Sequence, residues 1–164
     1  MANFTTTGSD AYPNGCIIQC KVATKTTKVT TTSTSPATTG LTVSITAGDS
    51  SNKIFVQALI GGCGQSASLS RTHFNITGGT TASVGGGLPG NDVGATWCPR
   101  AADDAHHQGA LCFGFFDAPG DTDANTYTLN FWANSGTVSF NSSYANDANV
   151  GNAISCLTAW EVVQ

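Results

Sequence analysis

The side chains that could carry out chemistry are concentrated in one glycine-rich stretch, residues 85–108. It contains Asp103, Asp104, His106 and His107, and carboxylate and imidazole groups are ligands for divalent metal ions such as zinc. His106 and His107 are adjacent, however, so in regular structure their side chains diverge. We therefore predict no metal site, and interpret His106 and His107 as candidate residues at a contact between subunits.

Six cysteines offer a second kind of chemistry. They are Cys16, Cys20, Cys63, Cys98, Cys112 and Cys156. Zinc knuckles and ribbons need closely spaced CxxC pairs, which are absent from this sequence. We interpret the stretch 85–108 as a long loop. A disulfide between Cys98 and Cys112 would close this loop and is our candidate pairing. Free thiols are the alternative, because a protein made in a reducing cytosol could form disulfides only after its release.

Other reactive arrangements have little support in the sequence. Asp117, Asp121 and Asp123 could hold calcium, but they lack the EF-hand spacing and are equally explained as turn residues. Glu161 is the only glutamate, His73 is the only histidine besides the adjacent pair, and no GxSxG nucleophile motif occurs. We therefore predict a protein that is not an enzyme and that uses no cofactor.

The composition indicates the fold class. Only 10% of the 164 residues are charged, and Thr, Ser, Gly, Asn and Ala dominate. Residues that favour helices are scarce, whereas Thr and Val favour strands and Gly, Asn and Asp favour turns. A net charge of −4 with six basic residues argues against binding to nucleic acid. The apolar runs are too short for a membrane span, and residues 1–8 lack the features of a signal peptide, which predicts synthesis in the cytosol.

Alternating hydrophobicity predicts the strands. Residues 41–46 (LTVSIT) and 127–133 (YTLNFWA) alternate apolar with polar side chains, as in strands with one buried face. Residues 53–60 (KIFVQALI) are apolar on both faces and indicate a central strand. About ten short strands separated by turn signals predict one antiparallel β-sandwich over residues 15–164, preceded by an arm of residues 1–14.

The aromatic residues are expected mainly in the core of this sandwich, because each sheet must bury one face. This expectation covers Trp132, Trp160 and the run 113–116 (FGFF). Trp97 lies in the loop instead, and we predict it as a contact residue of an interface.

The order of several segments resembles a group of small phage structural proteins. The similar segments, in the order found in that group, are residues 40–46 (GLTVSIT), 51–56 (SNKIFV), 116–119 (FDAP), 125–129 (NTYTL), 136–141 (GTVSFN) and 157–162 (LTAWEV). The group comprises head-decoration and tail-fibre modules of phages that infect cyanobacteria and other aquatic bacteria. The resemblance implies a jelly-roll-like β fold, a location on the exterior of the virion and no catalytic residues. The cysteines and the 98–112 loop depart from the group.

From this resemblance we expect a capsid decoration (cement) protein that stabilises the phage head through the major capsid protein. The alternative is a receptor-binding knob, or a tail-fibre or baseplate component, that recognises the host cell surface; an unrelated lectin-like or cytokine-like β domain is a third possibility. An arm of residues 1–14 is too short for a fibre shaft, which favours the first function. The fold and the resemblance also imply a homotrimer that contacts other virion proteins and neither nucleic acid nor membrane.

The disulfide can be tested by mass spectrometry without reductant on protein taken from released particles. We expect Cys98 and Cys112 in one linked peptide, and a mass lower than that of the reduced chain by the two hydrogens lost. Cys112→Ser should remove the linkage, whereas Cys20→Ser should not change it. Unlinked peptides in the wild-type protein would show that the pairing is wrong.

Overall fold

A computed structural model describes residues 12–66, 71–79, 95–97, 109–143 and 152–164, with only the backbone described for 95–97. These ranges form ten strands and no helix. The strands are β1 (Ile17–Lys25), β2 (Val29–Thr31), β3 (Ala37–Thr46), β4 (Lys53–Gln65), β5 (Thr72–Gly78), β6 (Ala95–Trp97), β7 (Gly109–Asp117), β8 (Ala124–Ala133), β9 (Val138–Phe140) and β10 (Ser155–Val162). They make two antiparallel sheets, so the predicted all-β sandwich is confirmed.

The first sheet is organised around the long strand β4. Strand β10 pairs with the first half of β4. Cys63 of β4 pairs with Gly109 of β7 and also with Phe140 of β9, so β7 and β9 lie on opposite edges of β4. Strand β9 therefore continues the row of β10, and β1 and β2 pair with β10 and β9 respectively. The sheet has four rows in the order β1/β2, β10/β9, β4, β7.

The second sheet has the order β3-β8-β5-β6. Leu129 of β8 stands between Leu41 of β3 and Ile76 of β5, which fixes the register of the three longer strands. Strand β3 changes register between Thr38 and Leu41. Gly40 lies inside this irregularity at φ 75°, a left-handed conformation that glycine adopts without steric cost.

The core lies between the two sheets and is filled by alternate residues of each strand. On β3 the alternation is complete, because Leu41, Val43 and Ile45 are buried while the residues between them are exposed. The largest fully buried side chains, drawn from both sheets, are Tyr127, Phe74, Phe131, Phe140, Leu41, Ile45, Ile54, Ile60, Ile76, Leu129, Leu157 and Val56. Burying each side chain of this size contributes about 1.5–3 kcal/mol, so this core is the main source of stability.

Asn141 lies at the point where β9 and β10 meet end to end in one row of the first sheet. It is fully buried, with a left-handed φ of 63°. Its backbone amide donates to the carbonyl of Gly62 on β4 at 2.7 Å. Its Nδ2 donates to the carbonyls of Lys25 at 2.8 Å and Thr27 at 3.3 Å, where β1 gives way to β2. One residue thus ties the row β10/β9 to both neighbouring rows.

The other side of this junction brings the start of β10 against β4. The hydroxyl of Ser155 donates to Oδ1 of Asn141 and accepts from the amide of Gly61 at 3.0 Å. Gly61 has no alternative here, because a Cβ atom would lie 2.1 Å from the carbonyl oxygen of Ile154. The junction therefore depends on a buried amide, a hydroxyl and a glycine together.

Replacing Asn141 by alanine should lower the free energy of unfolding by about 3–4 kcal/mol. The change removes the donor of the partly buried Lys25 carbonyl, takes the acceptor from the buried Ser155 hydroxyl, and places an alanine at a positive φ. Urea denaturation followed by circular dichroism measures the loss.

Asn134→Ala is the matched control, because Oδ1 of Asn134 accepts from the amide of Arg71 at 2.6 Å in an exposed turn. Its loss should cost about 1 kcal/mol. Equal losses in the two variants would contradict the role assigned to Asn141.

Candidate functional site

The interface residues predicted from the sequence are only partly described by the structure. Trp97 ends β6, where its backbone pairs with Thr72 of β5. Cys98, His106 and His107 lie outside the described residues. Cys112 is an exposed free thiol on β7. The disulfide and the contact at Trp97, His106 and His107 therefore stay predictions.

A different surface stands out, on the side of the first sheet that faces away from the core. Twelve positions on β1, β10, β4 and β7 form three cross-strand rows, which run across the strand rows described above. We call these twelve positions the apolar face. The rows, each in strand order, are Cys20, Trp160, Phe55 and Phe116; Val22, Thr158, Gln57 and Gly114; and Thr24, Cys156, Leu59 and Cys112. The row order follows directly from the antiparallel register, because paired residues project on the same side of a sheet.

The first row is a line of aromatic rings. The ring of Phe55 lies 4.8 Å from that of Phe116 and 5.5 Å from that of Trp160, measured between centroids. Phe55 also leans over Gly114, since a Cβ atom there would stand 3.1 Å from Cζ of Phe55. Phe116, at the end of the line, remains 58% exposed. Ring contacts of this kind hold the row rigid in solvent.

The other two rows add the apolar side chains of Val22 and Leu59 and two cysteines, interspersed with the uncharged polar residues Thr24, Thr158 and Gln57. Val22 is 57% and Leu59 is 47% exposed. Ile17 before the first row and Ile154 after the third are also largely exposed. From row and strand spacings, the surface between these two isoleucines measures about 500 Å² in flat projection. A patch of this size matches the largest apolar patch on a typical monomeric protein, and such a patch is often functional.

The outward side of the second sheet has a different character. On β3 and β8, hydroxyl side chains face outward, and Oγ of Ser44 lies 2.6 Å from Oγ1 of Thr126. Further along, His73 and Trp132 stack with centroids 5.3 Å apart, and both are buried. Nδ2 of Asn130 donates to Asn75 Oδ1 and Thr77 Oγ1. In the described part of the chain, the first sheet alone therefore presents a broad exposed apolar surface.

The sequence-based placement of the aromatic residues in the core is correct for some and wrong for others. Phe113 and Phe115 face the core, where they are partly buried. Trp160 and Phe116 face outward on the apolar face, and Trp132 faces outward on the second sheet. Strands that are apolar on both sides give no periodicity by which to choose the inner face. In the sequence, the run 53–60 is apolar on both sides of the strand, which indicated that the outer side of β4 is apolar as well as its inner side.

The aspartates considered for calcium have separate structural roles. Asp117 is fully buried and accepts a hydrogen bond from the hydroxyl of Tyr127 at 2.7 Å. Oδ1 of Asp121 accepts from the amide of Asp123 and closes the turn before β8. Among the described residues, no group of three or more His, Cys, Asp or Glu side chains is placed to hold a metal ion.

Glu161 closes the loop between β3 and β4. Its Oε1 accepts from the amide of Gly48 and from Nδ2 of Asn52, each at 2.7 Å. The carboxylate is almost fully buried on the inner side of β10. The single glutamate is thus accounted for by hydrogen bonds that fasten a loop to the sheet.

Comparison with known proteins adds no family. No protein-family model matches the chain, and no curated protein matches its sequence. The described residues include no helix long and apolar enough to cross a membrane.

Two buried, weakly acidic side chains, Tyr127 and Cys63, make the free energy of unfolding depend on pH in the alkaline range. Burial, and then the hydrogen bond with Asp117, raise the pKa of Tyr127 well above its usual value. Burial raises the pKa of the Cys63 thiol to about 12. Both groups keep their protons in the folded state, while the unfolded chain loses them near their ordinary pKa values of about 8.5 and 10.

The contribution of these two groups to the free energy of unfolding should therefore be constant below about pH 8 and fall as pH rises, by up to about 1.4 kcal/mol per pH unit for each group. Urea titrations from neutral pH to about pH 11 measure the slope. Tyr127→Phe should be less stable at neutral pH, because Asp117 loses a donor, but should show a shallower alkaline slope. An unchanged slope in this variant would contradict the assignment.

Proposed function

We propose that this protein is a non-catalytic structural protein of a bacteriophage particle, specifically a capsid decoration protein. It sits on the exterior of the head as a homotrimer and stabilises the shell through the major capsid protein. The host cell makes it in the cytoplasm, and it joins the particle there.

The apolar face is the observation that carries this proposal. Exposure of side chains such as Phe116, Leu59 and Val22 to water is unfavourable, and another surface that covers them lowers the free energy. A protein that functions alone gains nothing from a broad apolar patch, whereas a protein that assembles permanently does. The few charged residues in the sequence suit the same role, because charge at the centre of an interface must be desolvated.

The order of the strands supports the choice of a virion protein. The chain passes between the two sheets at six of its nine connections, from β2 to β3, β3 to β4, β4 to β5, β6 to β7, β7 to β8 and β8 to β9. We interpret the two four-row sheets as a jelly roll, in which β1/β2, β10/β9, β4 and β7 form one sheet. Jelly rolls are frequent among viral capsid proteins, although also among lectins, so the fold supports the class and the resemblance supports the location.

Removal of the protein from purified particles should lower their resistance to heat and osmotic shock. The physical reason is that a decoration protein bridges shell subunits, so its binding energy stabilises the assembled shell. Genome release on heating, followed with a DNA-binding dye, measures the effect, and adding back purified protein should restore the original temperature.

Adsorption of the same stripped particles to host cells is the control. Particles that remain equally heat-stable but no longer adsorb would contradict the decoration function and support the receptor-binding alternative. Antibody labelling in electron micrographs should place the protein on the head.

A further inference from the structure

The proposed function leaves open which surface covers the apolar face. We propose that it is another copy of this chain, so that the apolar face forms the contact between subunits. This inference rests on the proposed structural function and specifies the partner of the same surface. The contact with the shell would then be made by other parts of the chain.

The charge of the apolar face favours another copy. Its twelve positions include no Asp, Glu, Lys or Arg, although the chain as a whole carries a net charge of −4. Lys53 lies only at the margin, where it pairs with Val162. A nucleic acid or an anionic membrane would be matched by basic groups at the centre of the surface. Another copy presents an equally uncharged apolar surface, and burying the two together desolvates no charge.

The first sheet also discourages association through its edge. Strand β1 pairs only with β10 in the described part of the chain, so its outer edge is open to another strand. Lys21 and Lys25 project from β1 on the side opposite to the apolar face, since they pair with Ala159 and Ser155. Charges directed inward on an edge strand are a common device against pairing between sheets. On the β1 side of the sheet, the face and not the edge is therefore the surface suited to association.

The size of the face predicts the strength of the contact. A stable interface buries about 800 Å² on each partner, whereas the apolar face offers about 500 Å² in flat projection. A contact of this area is expected to be weak, and in a closed trimer the three faces meet around the symmetry axis, so that each face contacts both neighbouring copies. This agrees with a trimer whose formation depends on protein concentration.

Four native thiols allow the contact between copies to be measured by their reactivity, without adding new cysteines. Cys20 and Cys112 are exposed on opposite sides of the apolar face, and Cys156 is half-buried between them. Cys63 is buried in the core, where its thiol donates to the carbonyl of Gly109 at 3.3 Å. A maleimide reagent should therefore react with the first three in the monomer and spare Cys63. In the assembled protein, Cys20, Cys112 and Cys156 should be protected, because all three lie on the apolar face.

The experiment uses the full-length chain, kept in reductant so that no disulfide contributes to its mass. Light scattering after size exclusion should give about three times 16.7 kDa at high concentration and a lower mass on dilution. Leu59→Thr and Phe116→Thr should each give a monomer at every concentration, with Cys112 reacting as fast as in the diluted protein. Thr42→Ala, on an exposed position of β3, is the control and should assemble like the wild-type protein.

Thermal midpoints of the diluted proteins should agree, because Leu59 and Phe116 are exposed in the single chain. A wild-type multimer that neither substitution weakens would overturn the inference. So would a monomer at every concentration. If that monomer still bound stripped particles through Phe116, the decoration function would stand without the homotrimer, and a capsid protein would cover the face. A multimer lost in both variants, but without affinity for particles, would support the inference and contradict the proposed function.

Discussion

The hydrogen bonds of Asn141 determine how the first sheet is built. Two strands, β9 and β10, must lie end to end in one row, although they are separated along the chain. Asn141 holds this row to β4 through its backbone amide, and to the end of β1 through its side chain. Without these bonds, the buried carbonyl of Gly62 and the partly buried carbonyl of Lys25 would lack donors. The continuity of the row β10/β9 between its neighbours depends on Asn141 together with Ser155 and Gly61.

The two sides of the first sheet are apolar for different reasons. The inner side packs against the second sheet and supplies most of the stability of the fold. The outer side gains less from folding, because side chains such as Phe116 and Leu59 stay about half exposed to water. Their apolar character needs an explanation outside the folded chain itself. Assembly provides one, since the same side chains are stabilised when a second surface removes them from water.

The contrast between the two sheets suits a protein displayed on a particle. The second sheet presents hydroxyl side chains at β3 and β8, which remain solvated at little cost. Its buried outward residues, including His73 and Trp132, are polar or carry a polar atom. Reactive groups such as the Cys63 thiol and the Tyr127 hydroxyl are buried and hydrogen-bonded in the interior of the protein.

The sequence by itself determined the class of fold and most of the strands. The alternation at 41–46 and 127–133 reflects a strand with one dry face, and that constraint acts on neighbouring residues alone. Only the tertiary structure decided which side of β4, β7 and β10 faces the core, because those strands are apolar on both sides. It also decided that Trp160, Phe55 and Phe116 form one line, since cross-strand neighbours come from distant parts of the chain. The left-handed Asn141 has the same cause: its partners, Lys25, Thr27 and Gly62, come together only when the rows are assembled.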